Sequence, residues 1–148
     1  MERFTNIIFG FLVGKLGLNL QGAEMLTVIG RKSGQPHTFP VNPLDFQGER
    51  YLVSARGDGN WVKNARAAGE VTLHRGRNRQ TWRLTEVHDR ELKITLMHAY
   101  LQRWGWQVQS FMHLGKSSTR EEIGARIDEY PIFLLNPVAS PLVGGHEA

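Results

Sequence analysis

"LTVIGRKSGQPHTFPV", residues 26–41, decides how this chain is read. A partly β-branched apolar run meets Gly30, then Arg31, Lys32 and Ser33, then Gly34 and Pro36, before apolar residues resume. Such runs favour strands. The two glycines open backbone conformations denied to other residues, so the segment between the strands is a tight turn. One outcome is a solvated hairpin tip. The other is an anion site. Successive amides in such a turn form a concave nest; Arg31 adds a planar fork, Lys32 a point charge and Ser33 a hydroxyl donor.

Working outward, strands are expected at 25–29, 38–46 and 51–55, with a hairpin loop at 47–50. The Gly-rich loop "RGDGN" leads to a short helix, "WVKNARAA", with Asn60 as its cap and Gly69 as its stop. "EVTLHRG" and "RQTWRLTEV" form a hairpin across 76–78. Asp89 caps a helix running to about Trp104, with Leu92, Leu96, Met97, Tyr100, Leu101 and Trp104 as its apolar face. Ser118 with Glu121 has the pattern of a capping box, and "YPIFLLNP" closes as a strand with Pro131 at its start. Hairpin-length loops between most strands favour an antiparallel sheet or barrel over a doubly wound sheet.

At 148 residues the chain has the length of about one domain. Hydrophobic residues make up 41% and charged residues 22%, an ordinary soluble composition. Cysteine is absent, which removes disulfides and thiolate chemistry and fits a reducing, cytoplasmic setting. The net charge of +4 favours anionic partners without choosing among them. There is no G-x-S-x-G, no H-E-x-x-H, no G-x-G-x-x-G between strand and helix and no phosphate loop of the Walker type. The six histidines show no ligand spacing, so no metal is expected. The arginines of "HRGRNRQTWR" are read as a solvated hairpin that guards a sheet edge, not as a nucleic-acid surface.

The apolar run of residues 4–14 is too short to span a bilayer. Residues 1–20 are read as a helix packed on its own domain or on a dimer partner. The alternative is a peripheral contact with the inner face of the membrane. Residues 138–148 are read as a loose tail.

A second stretch, "SARGDGNWVKNARAAGEVTL" at 54–73, carries a Gly-rich loop into a helix start, with Trp61 and Asn64 one helical turn apart. The two stretches at this spacing resemble the deazaflavin-dependent nitroreductase family of the split-barrel, flavin-reductase-like superfamily, whose members use coenzyme F420. The likeness runs over about residues 25–87 and the closing "YPIFLL" strand. It implies an α+β, mainly β fold: an FMN-binding-like split β-barrel over residues 21–137, with an N-terminal helix and flanking helices. It also implies a site. Arg31, Lys32 and Ser33 would hold the phosphate and acidic tail, and His37, Thr38, Phe39, Pro40, Val41 and Asn42 would run along the deazaflavin and its ribityl chain. Ser54, Ala55, Arg56 and Gly57 would contact the ring system, joined by Asn60, Trp61, Lys63 and Asn64 from the short helix.

Two departures from the family pattern stand out: His37 where relatives often carry Arg, and Val62 in place of a second aromatic. Tyr100, Trp104 and Tyr130 are the candidates for the acceptor side, and "RWGWQVQSFMH" with the N-terminal helix would wall an apolar pocket. The expected activity is hydride transfer from the reduced deazaflavin to a quinone, nitro or enone compound, in a homodimer. The alternatives are an FMN reductase of the same fold and a non-catalytic, membrane-associated lipid or cofactor carrier.

Overall fold

The 26–41 stretch folds as a hairpin in the computed structural model, which describes residues 23–139. Strand β1 (Glu24–Ile29) pairs antiparallel with β2 (Pro36–Val41), Val28 opposite His37 and Leu26 opposite Phe39. The expected strand at 38–46 is two strands, because Asn42 and Pro43 interrupt it before β3 (Leu44–Phe46). Proline has no amide to give to a ladder. β4 (Glu49–Val53) follows through a turn in which Gln47 and Gly48 both have positive φ (50° and 81°), the twist a two-residue hairpin favours. Helix α1 (Asn60–Ala68), β5 (Glu70–Arg75), β6 (Asn78–Glu86), helix α2 (Arg90–Met112), helix α3 (Arg120–Arg126), a 3-10 turn (Ile127–Glu129) and β7 (Ile132–Pro137) complete the described order.

The strands form one antiparallel sheet in the order β2-β1-β5-β6-β7-β4-β3. β2 and β3 occupy opposite edges, yet only Asn42 and Pro43 separate them. A flat sheet would hold its two edges about 29 Å apart at ~4.8 Å per strand. The link from Val41 to Leu44 reaches at most about 11 Å. The sheet must therefore curl until its edges approach, and it does so as a half-barrel flanked, among the described residues, by three helices. Residues 1–20 and most of the 138–148 tail lie outside the described residues.

Period-2 alternation distributes the side chains between two cores. Leu26, Val28, Leu52, Val71, Leu73 and Leu135 fill the inside of the curl, closed by Ala65 of α1. Tyr51, Val53 and Ile132 face the other way, against Leu96, Met97, Leu101 and Ile123 of α2 and α3.

Helix ends show what local pattern misses. Gly69 stops α1 as expected, with φ 78° and its amide on the Ala65 carbonyl. Gly59 is the N-cap and gives no side-chain cap, while Asn60 is the first helical residue. Asp89 caps α2 through the Leu92 amide (2.8 Å), but the helix continues past Trp104 to Met112, where His113 turns left-handed (φ 61°). Gly105 does not terminate it. A Cβ there would lie 3.0 Å from the Lys116 nitrogen, so glycine lets the loop after α2 cross close to the helix. Leu92, placed on the apolar face by spacing, is 36% exposed. The capping box belongs to Thr119 and Glu122, one residue beyond the expected pair, and the Ser118 hydroxyl accepts the Gly115 amide instead. The arginine hairpin guards no edge: β5 and β6 are interior strands of the sheet.

One ion cluster ties α1 to the sheet. Arg66 donates to both Glu86 oxygens (2.9 and 2.8 Å) and to Asp58 (2.9 Å). Its hydrogen bond holds the Glu86 carboxyl below its ordinary range. A depressed folded-state pKa gives stability above the unfolded value of about 4.3 and loses it as pH falls through the folded-state value. Arg66 is 40% exposed, so solvent screening keeps the contribution modest. Glu86→Gln should lower the melting temperature slightly at pH 7, and the gap should close near pH 3. A gap of equal size at both pH values would contradict this linkage.

Candidate functional site

The turn after β1 is closed by its own backbone: the Gly34 amide donates to the Gly30 carbonyl (2.9 Å) and the Gly30 amide to the Gln35 carbonyl (2.8 Å). Gly34 takes φ 72°, which a side chain would strain. α1 packs across the β1 end of the curl, so its exposed edge faces this turn. Between them lies a cleft of about 440 Å³, within the range of small-ligand sites.

The cleft brings together eight of the expected residues: Arg31, Lys32, Ser33, His37 and Phe39 from the hairpin, and Asn60, Trp61 and Asn64 from α1. Val28 and Gly30 complete the lining, which contains two cations and no carboxylate among the described residues. Gly30 has a role that sequence spacing alone does not reveal. A Cβ on it would fall 2.7 Å from His37 Nε2 and 2.8 Å from Ser33 Oγ. Glycine therefore lets the imidazole and the hydroxyl close in on the turn backbone, where any side chain would collide with both. Ser33 Oγ accepts the Gln35 amide (3.1 Å), leaving its own proton free to donate.

One oxygen fixes the turn to the helix. Asn64 Oδ1 accepts the Arg31 backbone amide (3.0 Å) and Arg31 Nη1 (2.7 Å). The apolar wall is Phe39 and Trp61, backed by the buried Phe133: Phe39 and Phe133 each stand 6.0 Å from Trp61, at 55° and 57°. Phe133 arrives from β7, and no local signal in the sequence ties it to Trp61.

Other expected residues lie elsewhere. Thr38 Oγ1 bonds Thr27 Oγ1 (2.8 Å) across the opposite side of the hairpin. Pro40 shares that side by alternation, and Val41 packs on the inner core. Asn42 donates to Gln107 of α2 (3.1 Å). Ser54 is buried and its hydroxyl donates to the Gly57 carbonyl, which locks the loop. Ala55 packs on the outer core, Gly57 supplies φ 89°, and Arg56 lies 4.0 Å from the Phe111 ring centroid. Lys63 is exposed on α1 outside the lining.

Tyr100, Trp104 and Tyr130 stand apart from the cleft. All three are buried in the core under α2 and α3. Burial pushes the Tyr100 hydroxyl up to about 12, and Tyr130 donates to the Met112 carbonyl (2.8 Å). The Trp104 indole nitrogen is buried without a hydrogen-bond partner among the described residues. Among the described residues no cluster of His, Asp or Glu could hold a metal ion, and no helix is long and apolar enough to cross a membrane.

The lining suits a phosphorylated, ring-bearing cofactor: it combines two cations, a hydroxyl and an imidazole with the indole of Trp61 and the phenyl of Phe39. Comparison with known proteins points the same way. The solved structures it resembles include an F420-H2 dependent reductase (16% identity, 78% of this chain and 95% of that one, TM-score 0.53). A protein of Listeria innocua described as a pyridoxamine 5'-phosphate oxidase matches over 86% of this chain and 94% of its own, at 12% identity and TM-score 0.55. A chain described as a domain-swapped dimer matches over 91% and 95%, at 16% identity and TM-score 0.50. At these identities the likeness shows the fold, a split barrel of the flavin-reductase-like kind. No curated protein matches the chain. The family model for F420H(2)-dependent quinone reductase matches residues 3–116. The chain belongs to the F420H(2)-dependent quinone reductase family, and is thus an oxidoreductase that uses coenzyme F420.

Proposed function

We propose that this reductase holds coenzyme F420 in the cleft between the 30–34 turn and α1, and that its acceptor is an apolar compound, a quinone in the first instance. The observation that carries the site is the convergence of Arg31, Lys32, Ser33 and His37 in the lining of one cleft, with Ser33 Oγ and His37 Nε2 drawn together beside Gly30. Arg31 and Lys32 bind the anionic end of the cofactor, and Ser33 donates to it. Phe39 and Trp61 flank the ring system and exclude water from one side. When bound and reduced, the deazaflavin supplies a hydride. The chain's own part is binding, orientation and charge, so no side chain of the cleft is assigned as acid or base.

Quinones are favoured over nitro and enone compounds by the family itself and by the apolar half of the cleft. A homodimer fits the outer edge of β2, unpaired among the described residues, and the 48% exposure of Ile29 beside the turn. It also fits the neighbour described as a domain-swapped dimer.

Titration of the purified chain with coenzyme F420 and, separately, with FMN tests the reading, with tryptophan fluorescence as the signal because Trp61 lines the cleft. F420 should saturate at lower concentration than FMN. Tighter binding of FMN would transfer the site to the flavin, and binding of neither would remove it.

A further inference from the structure

We propose that Asn64 is a positioning residue that presets the Arg31 guanidinium for an anion without neutralising it. This rests on the cofactor reading above and names how the grip is built. Asn64 is 8% exposed on α1, and its Oδ1 takes two donors from one residue 33 positions away, the Arg31 amide (3.0 Å) and Nη1 (2.7 Å). The amide bond anchors the start of the turn. The Nη1 bond fixes the direction of the fork, while Arg31 Nε and Nη2 keep no partner among the described residues. An exposed arginine loses considerable rotamer freedom when a ligand immobilises it. Fixing the fork beforehand removes part of that cost from binding.

The chemistry of the acceptor matters as much as its place. Aspartate has the same size and would accept the same two bonds more strongly, because they would be charge-assisted. It would also put a negative charge 2.7 Å from Nη1, in a cleft whose described lining holds Arg31 and Lys32 and no acid. Arg31 would then be paired before any anion arrived. An amide gives the geometry and leaves the charge. Asn64 Nδ2, with no hydrogen bond to described residues, is a further donor at the same place.

Position and charge are separable by two variants of the full chain, Asn64→Asp and Asn64→Ala. Melting temperature would be measured with affinity for coenzyme F420 and for inorganic pyrophosphate, by fluorescence. Asn64→Asp should melt no lower than wild type yet bind both probes at least tenfold more weakly. Asn64→Ala should melt lower, since the Arg31 amide loses its acceptor, but bind more tightly than Asn64→Asp. Affinity and stability would thus run in opposite orders across the pair, which a merely structural asparagine would not produce. The same order for both quantities, or wild-type affinity in either variant, would overturn the proposal. If wild type bound pyrophosphate but not F420, the cofactor reading alone would fall, and the pyrophosphate arm would decide the role of Asn64. Binding of neither probe by wild type would overturn both.

Discussion

Arg31→Ala should weaken coenzyme F420 binding at least tenfold. The side chain is exposed on the turn, its guanidinium is held by one Nη1 bond to Asn64, and the rest of the fork lines the cleft. Hydrogen bonds to charged groups are worth roughly 1.5–3 kcal/mol, and each 1.4 kcal/mol or so is a factor of ten in affinity. Loss of one such bond gives the tenfold floor, and loss of two gives about a hundredfold or more. Folding should be little affected, because the backbone amide of residue 31 still reaches Asn64 Oδ1 and the turn keeps its two internal bonds. Arg31→Lys separates charge from shape. It retains the positive charge but cannot hold Asn64 and a phosphate with one planar fork, so its affinity should lie between those of the other two. An Arg31→Ala protein that binds as tightly as wild type would return the turn to a solvated hairpin tip.

The turn was legible in the sequence because everything that makes it is local. Gly30, Gly34 and the three donors sit within five positions, and their strands are marked by apolar residues on both sides. The short helix and its glycine stop were legible for the same reason. What joins the two is not local. Asn64 meets Arg31 across 33 residues, and that pairing exists only because β1 and β5 are neighbours in the sheet with α1 packed across them. The break at Asn42 and Pro43 was hidden inside an apolar run. The length of α2 was hidden by Gly105, which looks like a stop and serves as a crossing point for the following loop. Tyr100, Trp104 and Tyr130 were drawn toward the site by residue type alone; burial puts them in the core. Aromatic residues at helical spacing fit a packed interior as well as a pocket wall, and only the position of the helix over the sheet separates the two.

Phe133→Ala carries the largest expected effect on stability. Phe133 is 2% exposed on β7, a strand paired on both sides, opposite Leu52 of β4 and Glu86 of β6. Truncation of a buried phenyl costs about 3–5 kcal/mol, through lost transfer energy and the cavity left behind. At this chain length that lowers the melting temperature by on the order of 10 °C. The same ring is one of two that flank Trp61 at 6.0 Å, so the cavity opens behind the indole that lines the cleft. Trp61 would then have space to withdraw from the ligand, and the fluorescence change on cofactor binding should shrink along with the affinity. Phe133→Leu fills most of the volume, and both effects should be smaller. A loss below about 1 kcal/mol in Phe133→Ala would mean that the sheet collapses around the gap. Trp61 would in that case be held by Phe39 and α1, and cofactor affinity should not change. A large stability loss with unchanged affinity would instead uncouple the barrel core from the cleft. The aromatic row would then be packing alone, and the binding energy of the site would rest on the anion turn and Asn64.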